Sequence, residues 1–180
     1  MALPRGHVFW IFGLSGAGKS TMAAALAGHL RARQLPVLAL DGDAVRHGLC
    51  QGLGFSDADR MENLRRSAEV AALGADSGLC VVAAFITPRE AHRELVREII
   101  GRDRISLIFA DAPLDVCRQR DVKGLYARAQ AGQVPQMTGI SSAFEPSDHP
   151  DLILPTATDS PAASAETLTG FALTRLGLAK

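Results

Sequence analysis

Residues Gly13 to Thr21 (Gly-Leu-Ser-Gly-Ala-Gly-Lys-Ser-Thr) have side-chain types and spacing suited to holding a polyphosphate. Gly13, Gly18, Lys19 and Ser20 occupy the fixed positions of the pattern G-x-x-x-x-G-K-[ST]. Glycines let a backbone wrap closely enough for successive N–H groups to point at phosphate oxygens, at a helix N-terminus whose dipole favours negative charge. Ser15, Gly16, Ala17, Gly18 and Thr21 complete that loop. Lys19 is expected to reach the β- and γ-phosphates as a point charge, and the Ser20 hydroxyl to hold Mg²⁺. Asp41 and Asp43 follow, with Arg46 three residues on. Phosphoryl transfer to a hydroxyl needs a carboxylate to orient the acceptor and take its proton, and Mg²⁺ needs oxygen ligands. Asp43 is the candidate for both duties; the plainer alternative is that Asp41 and Asp43 end a strand and cap a helix.

Two more segments carry candidate groups. From Leu53 to Arg66, Ser56 and Asp59 suit a helix start, and the helix is expected to run to about Asp76. On its wheel Met61, Leu64, Ala68 and Ala71 form an apolar stripe, with Arg60, Asn63 and Ser67 along the edge. Arg60 and Asn63 are thus candidate anion donors, whereas Arg65 and Arg66 suit a solvated face equally well. Phe55, just before the helix, fits either the core or a platform for stacking a base. Further on, Arg118, Arg120 and Lys123 put cations beyond the fourth strand, and the irregular basic segment 121–140 is a candidate lid, which would exclude water and bring positive charge to a transferring phosphoryl group; the plainer alternative is a solvated basic helix. The five histidines show no metal spacing.

The elements that must position these groups alternate. Strands are expected at 8–12, 36–41, 79–86, 105–110 and 152–154, and helices at about 18–33, 56–76, 88–100, from Pro113, and 162–177. Strands apolar on both faces point to a five-stranded parallel sheet covered by helices, with ligands beyond the carboxyl ends of the strands. The 180 residues suit one domain. Lys plus Arg and Asp plus Glu both number 19, so no broad field favours nucleic acid or an anionic membrane. Three distant cysteines indicate neither a disulfide framework nor zinc, which fits a reducing cytoplasm. No signal peptide or membrane span is read from the N-terminal stretch.

In this order, the loop Gly13–Thr21, Leu40-Asp-Gly-Asp-x-Val-Arg46, Leu53-Gly-Phe55, Asp59-Arg-x-Glu-Asn-x-Arg-Arg66, Arg120-Asp-x-Lys-Gly-Leu-Tyr126 and Thr138-Gly-Ile140 resemble the adenylylsulfate (APS) kinase family over nearly the whole chain. That family makes 3′-phosphoadenylyl sulfate from ATP and adenylyl sulfate. The resemblance implies a P-loop kinase fold with a lid, Mg²⁺ as cofactor, and Asp43 beside both the acceptor's 3′-hydroxyl and the metal. It implies that Arg46, Arg60 and Asn63 hold adenylyl sulfate, that Phe55 stacks on its adenine, and that Arg120 contacts the ATP adenine. Lys123, Gly124, Leu125 and Tyr126 would belong to the lid over the substrates. Thr87 stands where the family has Ser, and Met137 where it has Phe; Met137 would form the second wall of the adenine slot. Ser141 replaces an Asp that often follows. The resemblance also implies a homodimer and leaves pairing with an ATP sulfurylase open. Two alternatives remain: another small-metabolite kinase acting on gluconate, shikimate or a nucleoside monophosphate, or a nucleotide-binding regulatory protein without turnover.

Overall fold

A computed structural model describes residues 6–133, 136–147 and 149–179. The chain runs β1 (His7–Phe12), α1 (Lys19–Ala32), β2 (Val37–Asp41), α2 (Gly42–His47), α3 (Asp57–Asp76), β3 (Cys80–Phe85), α4 (Glu90–Ile100), β4 (Ile105–Ala110), α5 (Leu114–Arg120), α6 (Leu125–Gln130), β5 (Leu152–Leu154) and α7 (Pro161–Arg175). The five strands pair in the order β2-β3-β1-β4-β5, all parallel. β1 is central, with Phe9 opposite Val82 on one side and Ser106 on the other.

Alternation along the central strands divides the core between two layers. Phe9, Ile11, Val82 and Ile108 face Leu26 and Leu30 of α1 and Leu168 of α7. Val8, Trp10, Phe12, Val81 and Leu107 face Leu64, Ala68 and Ala71 of α3 and Val96 and Ile100 of α4. Both faces are therefore apolar, which is why β1, β3 and β4 read as continuous hydrophobic runs. Gly74 of α3 lies so close to the sheet that a Cβ there would sit 3.0 Å from Leu38 and Val81 side-chain carbons.

Five strands, their parallel sense and the helices on both faces agree with the sequence reading, with element ends shifting by one or two residues. Ser56 caps α3 as expected: its Oγ accepts from the Asp59 N–H at 3.1 Å and donates to the Asp59 carboxylate at 2.6 Å. Two corrections concern short helices. Residues 42–47, given no helix bounds from sequence, form α2; Asp41 ends β2 and caps the α2 N-terminus by accepting from the Asp43 N–H, as the plainer alternative for Asp41 has it. The supposedly irregular segment 121–140 contains α6, whose first turn is held by the Asp121 carboxylate accepting from the Tyr126 and Ala127 N–H groups at 3.0 Å. Residues 134 and 135 of that segment lie outside the described residues. No helix among the described residues is long and apolar enough to cross a membrane.

Candidate active site

The loop after β1 leads straight into α1, so its amides lie at the carboxyl rim of the central strand. Gly13 has φ +148°, and a Cβ on it would stand 2.5 Å from the Ala110 carbonyl oxygen of β4. The bend thus requires glycine. Four successive carbonyls of the loop are taken by side chains. Leu14 O accepts from Lys19 Nζ at 2.6 Å, Ser15 O from the Tyr126 hydroxyl at 2.9 Å, Gly16 O from Arg120 at 3.3 Å, and Ala17 O from the Thr156 hydroxyl at 2.8 Å. With these carbonyls tied down, the loop is held in one conformation before any anion arrives. Such pre-organisation is what phosphoryl transfer demands of a site that works by positioning and electrostatics.

Beside the loop, Ser20 Oγ donates to Asp41 at 2.7 Å, and the second oxygen of that carboxylate caps α2. Asp43 sits in the first turn of α2 and its carboxylate is ion-paired with Lys123, from the turn between α5 and α6. Lys19 is held down from its usual value to about 8, chiefly by burial and secondly by the nearby Lys123 charge. The negative charge of an anion entering here would offset both causes by attraction.

Beyond Asp43, Arg46 donates to Gly54 O at 2.9 Å and lies over the Phe55 ring, 4.4 Å from its centroid. The ring is 53% exposed, so Phe55 is not a core residue, and the Arg46 guanidinium lies against it. Arg60 is buried: Nε donates to Phe55 O and Nη1 to the Thr138 hydroxyl, both at 2.9 Å, and Nη2 to Gln136 O. Asn63 is also buried, with its Nδ2 unpartnered. Along the edge of the apolar stripe, where the wheel puts them, Arg60, Asn63 and Ser67 are all buried, because α4 packs along α3 and residues 136–138 cover Arg60. Arg65 and Arg66 pair with Glu62 on the outer side of α3, matching the solvated alternative.

Thr87 carries φ +44°, rare for a β-branched residue; it is fully buried and its hydroxyl accepts from Trp10 Nε1 at 2.9 Å. The Arg93 guanidinium, itself fully buried, donates to Thr87 O at 3.1 Å. This strained residue is over-determined by its neighbours and marks the rim where β3 ends. Met137 is 6% exposed and packs in the same apolar layer as Leu14, Cys117 and Tyr126.

One cleft of about 520 Å³ joins these parts. Ser15, Gly16, Gly18, Lys19, Ser20, Thr21 and Arg120 line its phosphate side; Asp43, Arg46, Phe55, Arg60, Asn63, Thr87, Lys123, Leu125 and Met137 line the remainder. Gly13, Ala17 and Gly124 do not. Gly13 and Ala17 are buried beneath the loop, and Gly124, at φ +62°, serves as the left-handed N-cap of α6. Sequence reasoning missed Tyr126 and Thr156 as supports of the loop and Ser164 as part of the wall. It also gave Asp41 no metal role, although strand ends were the places to search, and Asp41 ends β2. Ser20 and Asp41, joined by a hydrogen bond, and Asp43 two residues on carry oxygen donors of the kind Mg²⁺ takes, although the Asp43 carboxylate is here engaged by Lys123.

A doubly covered parallel sheet, a P-loop after its central strand and a carboxylate across the cleft from the loop lysine define a P-loop kinase. The family model for adenylylsulphate kinase matches residues 5–155, and the chain belongs to that family. Among solved structures, it is 42% identical to the Mycobacterium tuberculosis APS kinase CysC in complex with AMPPNP and APS, covering 94% of this chain and 98% of that one with a TM-score of 0.89. A protein named APE1195 is 33% identical over 99% of both chains, with a TM-score of 0.89. The hexameric APS kinase from Thiobacillus denitrificans is 27% identical, with a TM-score of 0.73; the match covers 99% of this chain but 30% of that longer one.

Proposed function

We propose that this protein transfers the γ-phosphoryl group of ATP to the 3′-hydroxyl of adenylyl sulfate, giving 3′-phosphoadenylyl sulfate and ADP in sulfate activation. The observation that carries this reading is the pairing, within one cleft, of a pre-organised phosphate loop with an exposed aromatic platform flanked by two guanidiniums and a carboxylate. Gluconate or shikimate would leave the Phe55 platform and its arginines without a purpose. A second adenine nucleotide bearing an anionic sulfate uses all of them. That a relative 42% identical was solved with AMPPNP and APS together supports the same choice.

In this mechanism Asp43 accepts the proton of the 3′-hydroxyl as its oxygen bonds to the γ-phosphorus, and the bond to the β,γ-bridging oxygen breaks to release ADP. Lys19 leaves Leu14 O for the β- and γ-phosphates, and Lys123 leaves Asp43 for the transferring group. Arg120 stays on the nucleotide side. Arg46, Arg60 and Asn63 hold the sulfate nucleotide, Phe55 stacks on its adenine, and Met137 closes the slot. Bound Mg²⁺ would be held by Ser20 with Asp41 and Asp43 and would neutralise charge on the phosphates. A cytoplasmic homodimer completes the proposal, with pairing to an ATP sulfurylase left open.

The test is ADP release by the purified chain with Mg²⁺ and ATP, with and without adenylyl sulfate, followed by identification of the nucleotide product. Stimulation by adenylyl sulfate and a 3′-phosphorylated product are expected. Release that responds instead to gluconate, shikimate or a nucleoside monophosphate would overturn the assignment.

A further inference from the structure

On the side of the phosphate loop away from Asp43, the cleft wall continues through Thr156, Asp159, Pro161 and Ser164. Hydrogen bonds fix this wall against the loop: Thr156 reaches Ala17 O, and Arg120 bridges Gly16 O and Thr156 O. A nucleotide whose phosphates lie on Gly16–Ser20 therefore extends its nucleoside between the flat guanidinium of Arg120 and the first turns of α7. Ser164 is at the fourth helical position of α7, after Ser160 has capped the helix by accepting from the Ala163 N–H. Ser164 is 1% exposed, and its hydroxyl has no hydrogen-bond partner. An unpaired hydroxyl in such a place is a liability in the free protein and calls for a reason.

We infer that the Ser164 hydroxyl recognises the six-position edge of the donor's purine, accepting from its 6-amino group. Among the described residues, four side chains hold a buried nitrogen or oxygen without a partner: Asn63, His92, Arg93 and Ser164. Of these, only Asn63 and Ser164 line the cleft, and they lie on opposite sides of the phosphate loop. Asn63 belongs with the acceptor nucleotide, so Ser164 is left to serve the donor. A hydroxyl both accepts and donates, and adenine offers a 6-amino donor beside the N1 acceptor. The competing fate of the hydroxyl is rotation onto Ser160 O one turn earlier, a common habit of helical serine that would leave the base unread. The inference rests on the reading of this cleft as a donor-nucleotide site but not on the identity of the acceptor.

The two fates are separated by calorimetric titration of wild type and Ser164→Ala with ADP, with purine riboside 5′-diphosphate, which lacks the 6-amino group, and with 2′-deoxy-ADP. The inference requires that Ser164→Ala weaken ADP and 2′-deoxy-ADP alike, about threefold to tenfold, and purine riboside 5′-diphosphate by less. Ligand-free thermal melts should show Ser164→Ala no less stable than wild type, because the removed group is unpaired and alanine favours the helix. An unchanged preference for ADP over purine riboside 5′-diphosphate would overturn the inference, as would an effect confined to the 2′-hydroxyl. Failure of ADP to bind wild type would overturn it as well. No acceptor is present in these titrations, so a chain that bound ADP through Ser164 but ignored adenylyl sulfate would sink the proposed reaction and leave this contact standing.

Discussion

Replacing Lys19 by methionine should abolish transfer and at the same time make the ligand-free protein more stable near pH 7. The ammonium sits in the loop with Leu14 O as its hydrogen-bond acceptor, and burial together with Lys123 brings its pKa from 10.5 to about 8. A tenfold weaker hold on the proton corresponds to about 1.4 kcal/mol, so keeping the charged form costs the fold up to about 3 kcal/mol, and nearer 1–2 where water reaches the cleft. The sign follows from proton binding. Between pH 8 and 10.5 the unfolded lysine keeps a proton that the folded one has released, so stability rises with pH across that window. The cost is fully present below pH 8 and gone above 10.5. Urea unfolding of wild type and Lys19→Met, without nucleotide, from pH 7 to pH 10.5, isolates the effect, since titrations not coupled to Lys19 cancel in the difference. The variant's advantage should be largest at pH 7 and shrink steadily above pH 8. Parallel stability curves would refute the claim that Lys19 is held at the cost of the fold, and turnover by a folded Lys19→Met enzyme would refute its role at the phosphates.

Asp43→Asn keeps the shape of the side chain but removes the proton acceptor, so turnover should fall by roughly two to four orders of magnitude; a change confined to ATP affinity would assign Asp43 to the metal alone. Arg60→Ala should weaken adenylyl sulfate far more than ATP in titrations and also lower the melting temperature. The guanidinium holds Phe55 O, Thr138 and Gln136 O together, and an orphaned buried partner costs about 1–3 kcal/mol. Equal weakening of both nucleotides would place Arg60's function elsewhere. Met137→Phe should tighten adenylyl sulfate by at most about tenfold, with a non-zero coupling to Phe55→Ala in a double-mutant cycle; a coupling near zero would leave Met137 as core alone.

The central strands, the P-loop and α3 were legible because each is specified by neighbours in sequence. Unbroken apolar runs, glycines at fixed spacing and the Ser56/Asp59 box all act within a few residues. The helices α2 and α6 were not, because six residues are too few for a periodic stripe and both depend on one aspartate at the start, Asp41 and Asp121. Arg60's burial was illegible for a different reason: its cover comes from Gln136 and Thr138, more than seventy positions away. The same distance hid the supports of the loop. Tyr126 and Thr156 meet Ser15 and Ala17 across 111 and 139 positions, and nothing local announces either bond.

Those distant bonds divide the cationic groups of the cleft into two kinds. The chain has sixteen arginines and three lysines, yet two of the three lysines, Lys19 and Lys123, face the cleft. Arg60 and Arg120 each bind two or more fixed backbone or hydroxyl oxygens, so their planar forks act as permanent struts between segments. Lys19 and Lys123 each have one internal partner, Leu14 O and Asp43. A compact ammonium on a flexible stem can change partner without disturbing the frame around it, which a strut cannot do. In the proposed reaction, arrival of phosphate asks Lys19 and Lys123 to move while Arg60 and Arg120 stay in place, and moving Lys123 would uncover the carboxylate of Asp43 for the acceptor's proton. Arginine at position 19 or 123 would keep the charge and lose that exchange, which is a physical reason for lysine at both places in a chain otherwise given to arginine.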